Sequence, residues 1–406
     1  MLNIVVLNGG RGAASIIPAM LSRQGLNVTS IVNAYDDGKS TGEIRRFFDM
    51  LGPSDIRKVQ ELMLPENDPH HDSSRALFAY RYPLESARET ILADMRAFAQ
   101  GAGRIAGIEV ASRTLRLALE VFVREFVDGL DVIEPARGDR FEFGDCSLMN
   151  CLYAGAYLAS RRDMEQTTRA MDRLFRLKGT VLPNSVDNKW LAALRENGEI
   201  LYSEAEIVEL RSNVLIEAIY LLDRPLDRHR FAALPLDQQK YFLGRHHAAP
   251  AASPGVKLAL EQADVIVYSA GTQHSSLYPT YMSRGIAETI ASNRSALKVF
   301  VTNIGADYET PSYRASDYLR GAYKYLMLAD GRHYSTADLF GAVLINSGRR
   351  KADETYVDYD AANFADLAVR RVIDDFESGD APGRHDGDRV VATILSLYEE
   401  AAAAAS

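Results

Sequence analysis

The sequence predicts an α/β fold built on an open sheet, and three observations near the N-terminus predict it. Residues 3–7, Asn-Ile-Val-Val-Leu, are a short, nearly continuous apolar run, as expected of a parallel strand buried on both faces. A glycine-rich turn, Gly9-Gly10-Arg11-Gly12, follows at once, and residues 14–23 then carry helical spacing. A second β-rich run at 27–33 completes a βαβ unit within about 30 residues, whose crossover is right-handed.

The remaining elements follow in order. Pro18 falls in the first turn of the 14–23 helix, where a missing N–H costs least. Residues 65–75 form a polar, proline-bounded loop. Beyond it, 85–100 and 105–127 read as amphipathic helices, with Leu115, Leu117, Leu119, Val121 and Phe122 mainly on one face. Residues 65–140 are therefore expected to be a helical insertion. A small-residue helix resumes at 146–159, and another occupies 161–179. Strand signals recur at 214–220, 264–269 and, most clearly, 298–303. The stretch 378–387 is turn-rich and leads into a last helix at 388–400, after which the Ala-rich tail is expected to fray. This organisation reads as a core over 1–330 that includes the insertion, and a C-terminal α/β extension with a tail over 331–406.

Composition narrows the class. At about 150 residues per domain, 406 residues allow two or three units, or one large domain with insertions. The 47% hydrophobic and 25% charged content is the globular average, which excludes collagen-like, coiled-coil and wholly disordered chains. Lys and Arg number 46 against 55 Asp and Glu, a net charge of −9. Binding to phosphate backbones relies on clustered cations, so neither nucleic acid nor an anionic membrane is an expected partner, while a local basic pocket for a small anion stays open. Cys146 and Cys151, five apart, match neither a redox nor a zinc pattern and are expected to be buried reduced thiols. The first apolar run lacks a charged leader and stops at Gly9, so it reads as neither signal peptide nor membrane span, and a cytoplasmic location is expected.

Four segments carry candidate chemistry. Gly9, Gly10 and Gly12 stand between strand and helix, where bare backbone and unpaired N–H groups suit a phosphate, although turn glycines without a ligand look the same. Residues 33–42 place Asp36 and Asp37 at the end of the second strand, where adjacent carboxylates hold a ribose, a divalent metal or a proton, or else form a plain acidic turn cornered at Asp37-Gly38. Lys39, Ser40 and Thr41 add a cation and two hydroxyls in an order unlike a Walker loop. Pro53-Ser54-Asp55-Ile56-Arg57 reads either as a helix start capped by Ser54 or Asp55, or as a carboxylate for metal and a guanidinium for phosphate. Residues 270–279 repeat the small, hydroxyl-rich loop after a strand, with His274 as an acid or base or a passive loop histidine. The adjacent pairs His70-His71 and His246-His247 diverge and are assigned no metal.

Taken together, these segments resemble the 2-phospho-L-lactate transferase (CofD) family, which includes the gluconeogenesis-factor (YvcK-like) proteins. Gly9-Gly10-Arg11-Gly12 is similar to the family's GGxG, and Asp36-Asp37-Gly38-Lys39-Ser40-Thr41-Gly42 to its Asp-Asp-Gly-x-Ser-x-Gly. Pro53 to Arg57 looks like its Pro-x-Asp-Ile-Arg step and Ser147-Leu-Met-Asn150 like its Ser-Ile-Gly-Asn. Gly179-Thr-Val-Leu-Pro183 matches its Val-Leu-Pro element, and 263–276 its Ala-Asp-Leu-Ile-Val-x-x-Pro-Gly-Ser-x-x-x-Ser. The likeness covers roughly residues 2–310. Lys39, Lys58, Met149 and Ala270 depart from the residues usual in the family.

The resemblance implies a Rossmann-like three-layer sandwich with a mostly parallel sheet and a nucleoside diphosphate-linked small molecule at its carboxyl edge. It implies a transferase that moves a phosphate-linked group to a hydroxyl acceptor, or a non-enzymatic regulator that binds UDP-sugars and governs gluconeogenesis and cell-wall growth. Under the transferase reading, Asp36, Asp37 and Asp55 are catalytic, and Asp36 and Asp37 hold Mg²⁺. The nucleotide and its phosphates fall to Gly9, Gly10, Arg11, Gly12, Ser40, Thr41, Gly42, Arg57, Asn150, Gly271, Thr272, Ser275 and Ser276. The helical insertion is the candidate contact for a homodimer.

Overall fold

Seven strands alternate with helical segments: β1 (Leu2–Asn8), β2 (Leu26–Val32), β3 (Thr180–Pro183), β4 (Val265–Tyr268), β5 (Leu297–Val301), β6 (Ala342–Asn346) and β7 (Arg370–Asp374). In the computed structural model, which describes residues 1–349 and 355–405, they form one sheet in the order β7-β6-β5-β4-β1-β2-β3. Every neighbouring pair is parallel. Val6, Leu7, Val265, Ile266 and Val267 are wholly buried because helices cover both faces, which is why these strands read as apolar runs without alternation.

The chain steps from β1 outward through β2 to β3, then crosses back to lay β4 on the other side of β1. Strand order therefore reverses between β1 and β4, and the loops leaving their carboxyl ends diverge around a crevice, the usual position of a ligand in an open α/β sheet.

The insertion holds helices His71–Ala79, Arg88–Ala99 and Arg113–Arg137, the last packed along the buried helix Leu148–Ala159. The predicted helix over 105–127 starts late. Residues 104–109 instead form a short antiparallel pair, because Ala106 and Gly107 take left-handed backbone angles (φ 50° and 76°) that reverse the chain.

The strand signal at 214–220 is the strand Ile216–Leu222, but it lies outside the parallel sheet. It pairs antiparallel with Trp190–Arg195, which also pairs with Ile200–Leu201. This lobe has its own small core of Ala192, Leu194, Leu222, Phe231 and Leu243. Residues 331–406 supply β6 and β7 to the main sheet. The final helix, Gly387–Ala405, packs on Ile16–Leu21 and continues through the alanines, the strongest helix formers, where fraying was expected. Among the described residues no helix is long and apolar enough to cross a membrane.

Candidate functional site

The crevice at the strand-order reversal is a cleft of about 870 Å³. Two loops form its floor. Gly12 lies so close to the loop after β4 that a Cβ there would collide with the Ala270 carbonyl oxygen and stand 2.6 Å from the Gly271 Cα. Gly10 takes φ 86°, and the space its missing side chain leaves is filled by the Asp55 carboxylate, 2.7 Å from where a Cβ would be. The glycines are thus required by packing as well as by any ligand. Gly9 and Gly12 face the cleft, while the Arg11 side chain lies outside the described residues.

The acidic centre is built from three segments. Asp36, after β2, Asp55, in the helix Ser54–Leu62, and Glu204, at the start of the helix Glu204–Glu209, all line the cleft with little exposure. The Lys58 Nζ donates to Asp55 Oδ1 at 2.8 Å and lies 3.6 Å from Asp36 Oδ2. The Gly38 N–H donates to Asp36 Oδ1 at 3.0 Å. Burial and the neighbouring Asp55 charge push Asp36 up to about 6 against the opposing pull of Lys58. Glu204 is raised by burial and by the charges of Asp36, Asp55 and Asp37.

Asp37 parts from Asp36. Its carboxylate accepts the Ala205 N–H at 3.0 Å, at the start of the helix Glu204–Glu209, where an anion suits the helix dipole. Asp36 meets Asp55 across Lys58, and Asp37 stays out of the cleft lining. Pro53, not Ser54 or Asp55, holds the N-cap position of the helix Ser54–Leu62, and Asp55 turns to Lys58 one turn on. Among the described residues no group of three or more His, Cys, Asp or Glu side chains is arranged to hold a metal ion.

A second network supports the first. The Arg57 Nε donates to Asn150 Oδ1 at 3.0 Å, and Asn150 Nδ2 donates to Ser40 Oγ at 3.1 Å and to Thr41 Oγ1 at 3.4 Å. Thr41 and Ser54 share a hydroxyl hydrogen bond. Asn150 therefore acts behind the cleft, while Arg57, Ser40 and Thr41 reach it. Gly42 packs against the Asp37 carbonyl and is not among the residues lining the cleft.

On the other wall, residues Gln273–Leu277 form a π-helical turn, a form concentrated at functional sites. Gly271, Thr272, Ser275 and Ser276 line the cleft, and Thr272 Oγ1 donates to Ser276 Oγ at 3.1 Å. His274 points away, into a cage of Tyr278, Tyr313 and Tyr325. Burial and Lys324 depress it to about 3, so it stays neutral and serves as the passive histidine. Cys146 and Cys151 are buried free thiols.

Several contributors escaped sequence reasoning. Arg45 is buried, stacks 4.2 Å from the Trp190 ring centre, and donates to the Tyr35 carbonyl at 2.9 Å and to Asn188 Oδ1 at 3.0 Å, tying the Asp36 turn to the antiparallel lobe. Its signal was a charged residue on the buried face of the helix Lys39–Phe48, between Ile44 and Phe48. Glu204, Arg81, Arg384 and His385 reach the cleft from distant segments with no local motif.

Comparison with known proteins places the chain. The family model described as 2-phospho-L-lactate transferase CofD matches residues 4–377. The chain belongs to the CofD family. Within this family, it is 23% identical to a protein named gluconeogenesis factor from Listeria innocua, over 97% of this chain and 95% of that protein. A protein of the same name from Listeria monocytogenes shows the same identity and coverage. A crystal structure from Bacillus halodurans, described as a member of the UPF0052 family, shares the fold with a TM-score of 0.67 at 21% identity. That alignment covers 97% of this CofD-family chain and 100% of the other.

Proposed function

We propose that this protein binds a nucleoside diphosphate-linked metabolite in the cleft and transfers its phosphate-linked group to a hydroxyl acceptor, the reaction implied by the resemblance to 2-phospho-L-lactate transferases. The observation that carries this reading is the Asp36 carboxylate. It is buried between two loops that suit phosphates and is held at about 6, where a general base works at ordinary pH. The acceptor oxygen bonds to phosphorus, the bond from phosphorus to the departing nucleoside monophosphate oxygen breaks, and the hydroxyl proton passes to Asp36. Lys58, Arg57 and the backbone around Gly9 to Gly12 meet the phosphate charge. Most of the rate gain is positioning and fixed electrostatics.

Asp36 and Asp55 offer the hard oxygen donors that Mg²⁺ takes together with substrate phosphates, so these two would hold it, and when bound it would neutralise phosphate charge. Asp37 would first have to release the Ala205 N–H.

The second reading is a nucleotide-sugar-binding regulator without turnover. Two observations favour it: relatives named gluconeogenesis factor match over 97% of the chain, and Lys58 already provides the acid pair with a cation at 2.8 Å. Incubation with a guanosine diphosphate-linked phospholactate donor and a deazaflavin acceptor separates the two. The transferase reading expects product and its loss in Asp36→Asn with nucleotide binding kept. Thermal stabilisation by UDP-sugars alone, with no product formed, overturns it.

A further inference from the structure

The segment after β5 grips the ligand-facing loop after β4 at two points. Asn303 clasps Gly271, accepting its N–H at 2.9 Å and donating to its carbonyl at 3.0 Å. Glu309 takes the other end. Its Oε2 accepts the N–H groups of His274 at 2.8 Å and Ser275 at 3.0 Å, and its Oε1 accepts the Ser275 hydroxyl at 2.5 Å. Two successive N–H groups at the opening of a turn beside a sheet edge are the usual recipe for holding an external anion. Here the chain's own carboxylate already fills them.

That carboxylate is expensive to keep. Glu309 is buried with 4% of its surface exposed; burial and the neighbouring Asp307 push it up to about 7, so it carries its full charge only above neutral pH, and that charge adds to the field that raises Glu204. An amide or hydroxyl side chain could satisfy the same donors without a second buried negative centre near the acid cluster. What the carboxylate adds is three charge-assisted bonds converging on one turn, a stiffer hold than neutral partners give.

We propose that Glu309 is a positioning residue: an internal anion that occupies the His274 and Ser275 N–H pair and thereby fixes the Thr272 and Ser276 hydroxyls against the ligand's phosphate. A ligand's own charge is consequently steered to the opposite wall, toward the Gly9–Gly12 backbone, Arg57 and Lys58. This rests on the reading that the cleft takes a phosphate-bearing ligand.

Chemical rescue tests it on the full chain, with guanosine and uridine diphosphates as probes by calorimetry and formate as the replacement anion by thermal melting. Glu309→Ala is expected to lose at least about tenfold in affinity for whichever nucleotide the unaltered protein binds. Formate is expected to restore most of that loss and to raise the Tm of the variant but not of the unaltered protein. Formamide, of the same size without charge, is expected to do neither. A Glu309→Ala protein that binds the nucleotide normally, or that gains nothing from formate, overturns the proposal. Should Glu309→Ala fail to fold, Glu309→Gln decides. Its carbonyl can accept both N–H groups but brings no charge, so a lowered Tm with about a tenfold loss of affinity supports the charged hold, whereas affinity within about threefold, or a tenfold loss at unchanged Tm, overturns it. If the unaltered protein binds neither nucleotide, the functional reading fails instead, and the formate melts still test the turn.

Discussion

Replacing Lys58 by methionine isolates the charge that holds Asp36 within working range. Methionine keeps the length of the unbranched stem and removes only the ammonium, which lies 2.8 Å from Asp55 and 3.6 Å from Asp36. At an effective dielectric constant of about 20, a unit charge pair near 4 Å interacts by about 4 kcal/mol. Lys58 keeps about a quarter of its side chain exposed, so solvent screening cuts this to a shift of roughly 1–2 pKa units. Asp36 then moves from about 6 to near 7–8. At pH 7 the ionised fraction falls from about nine-tenths to as little as a tenth, so turnover drops up to about tenfold and recovers at higher pH. The assay is the pH profile of kcat/KM between pH 5 and 9, with a parallel carboxyl titration by NMR. An acidic limb that stays in place while activity falls uniformly would mean that Lys58 serves only to bind phosphate and does not set the Asp36 titration.

Two further outcomes follow from the packing. Gly12→Ala drives a Cβ into the Ala270 carbonyl and Gly271, so the loops must part; a destabilisation of about 1–3 kcal/mol in denaturant unfolding is expected, with weakened nucleotide binding. Asp172, buried and bonded by Gln60 Nε2 at 2.6 Å and the Val181 N–H at 2.9 Å, is pushed by burial up to about 7. The folded chain therefore keeps a proton that the unfolded chain loses near pH 4, so stability is greatest below that and falls as pH rises toward 7, by at most about 4 kcal/mol from this group. Unfolding of Asp172→Asn followed from pH 4 to 8 should show a flatter decline; an unchanged slope contradicts the assignment.

What the sequence revealed, and what it hid, divides along physical lines. Strands β1, β2, β4 and β5 were legible because they are buried on both faces, and an apolar run bounded by turn residues admits few other readings. The loops at their carboxyl ends were legible for a related reason: glycines, hydroxyls and carboxylates crowd there in short order. Pairing was not legible. Ile216–Leu222 looks like any other strand, yet it pairs with Trp190–Arg195 in a separate lobe. Asp36 and Asp37 looked equivalent as neighbours, but the turn sends one to Lys58 and the other to the Ala205 N–H. Glu204, Glu309 and Asn303 act through contacts made more than 30 residues away, and their local sequence resembles ordinary helix starts and loops.

Under the proposed function, a phosphate-bearing nucleotide ligand sits at the reversal between β1 and β4. A crystal structure with bound guanosine diphosphate or a UDP-sugar tests it most directly. The diphosphate is expected between the Gly9–Gly12 loop and the Thr272–Ser276 wall, within hydrogen-bond reach of Arg57 or Lys58, with the base identifying the nucleotide class. A ligand lodged in the apolar cavity beside Phe231 and Phe242, with the cleft at the strand-order reversal left to solvent, would contradict it.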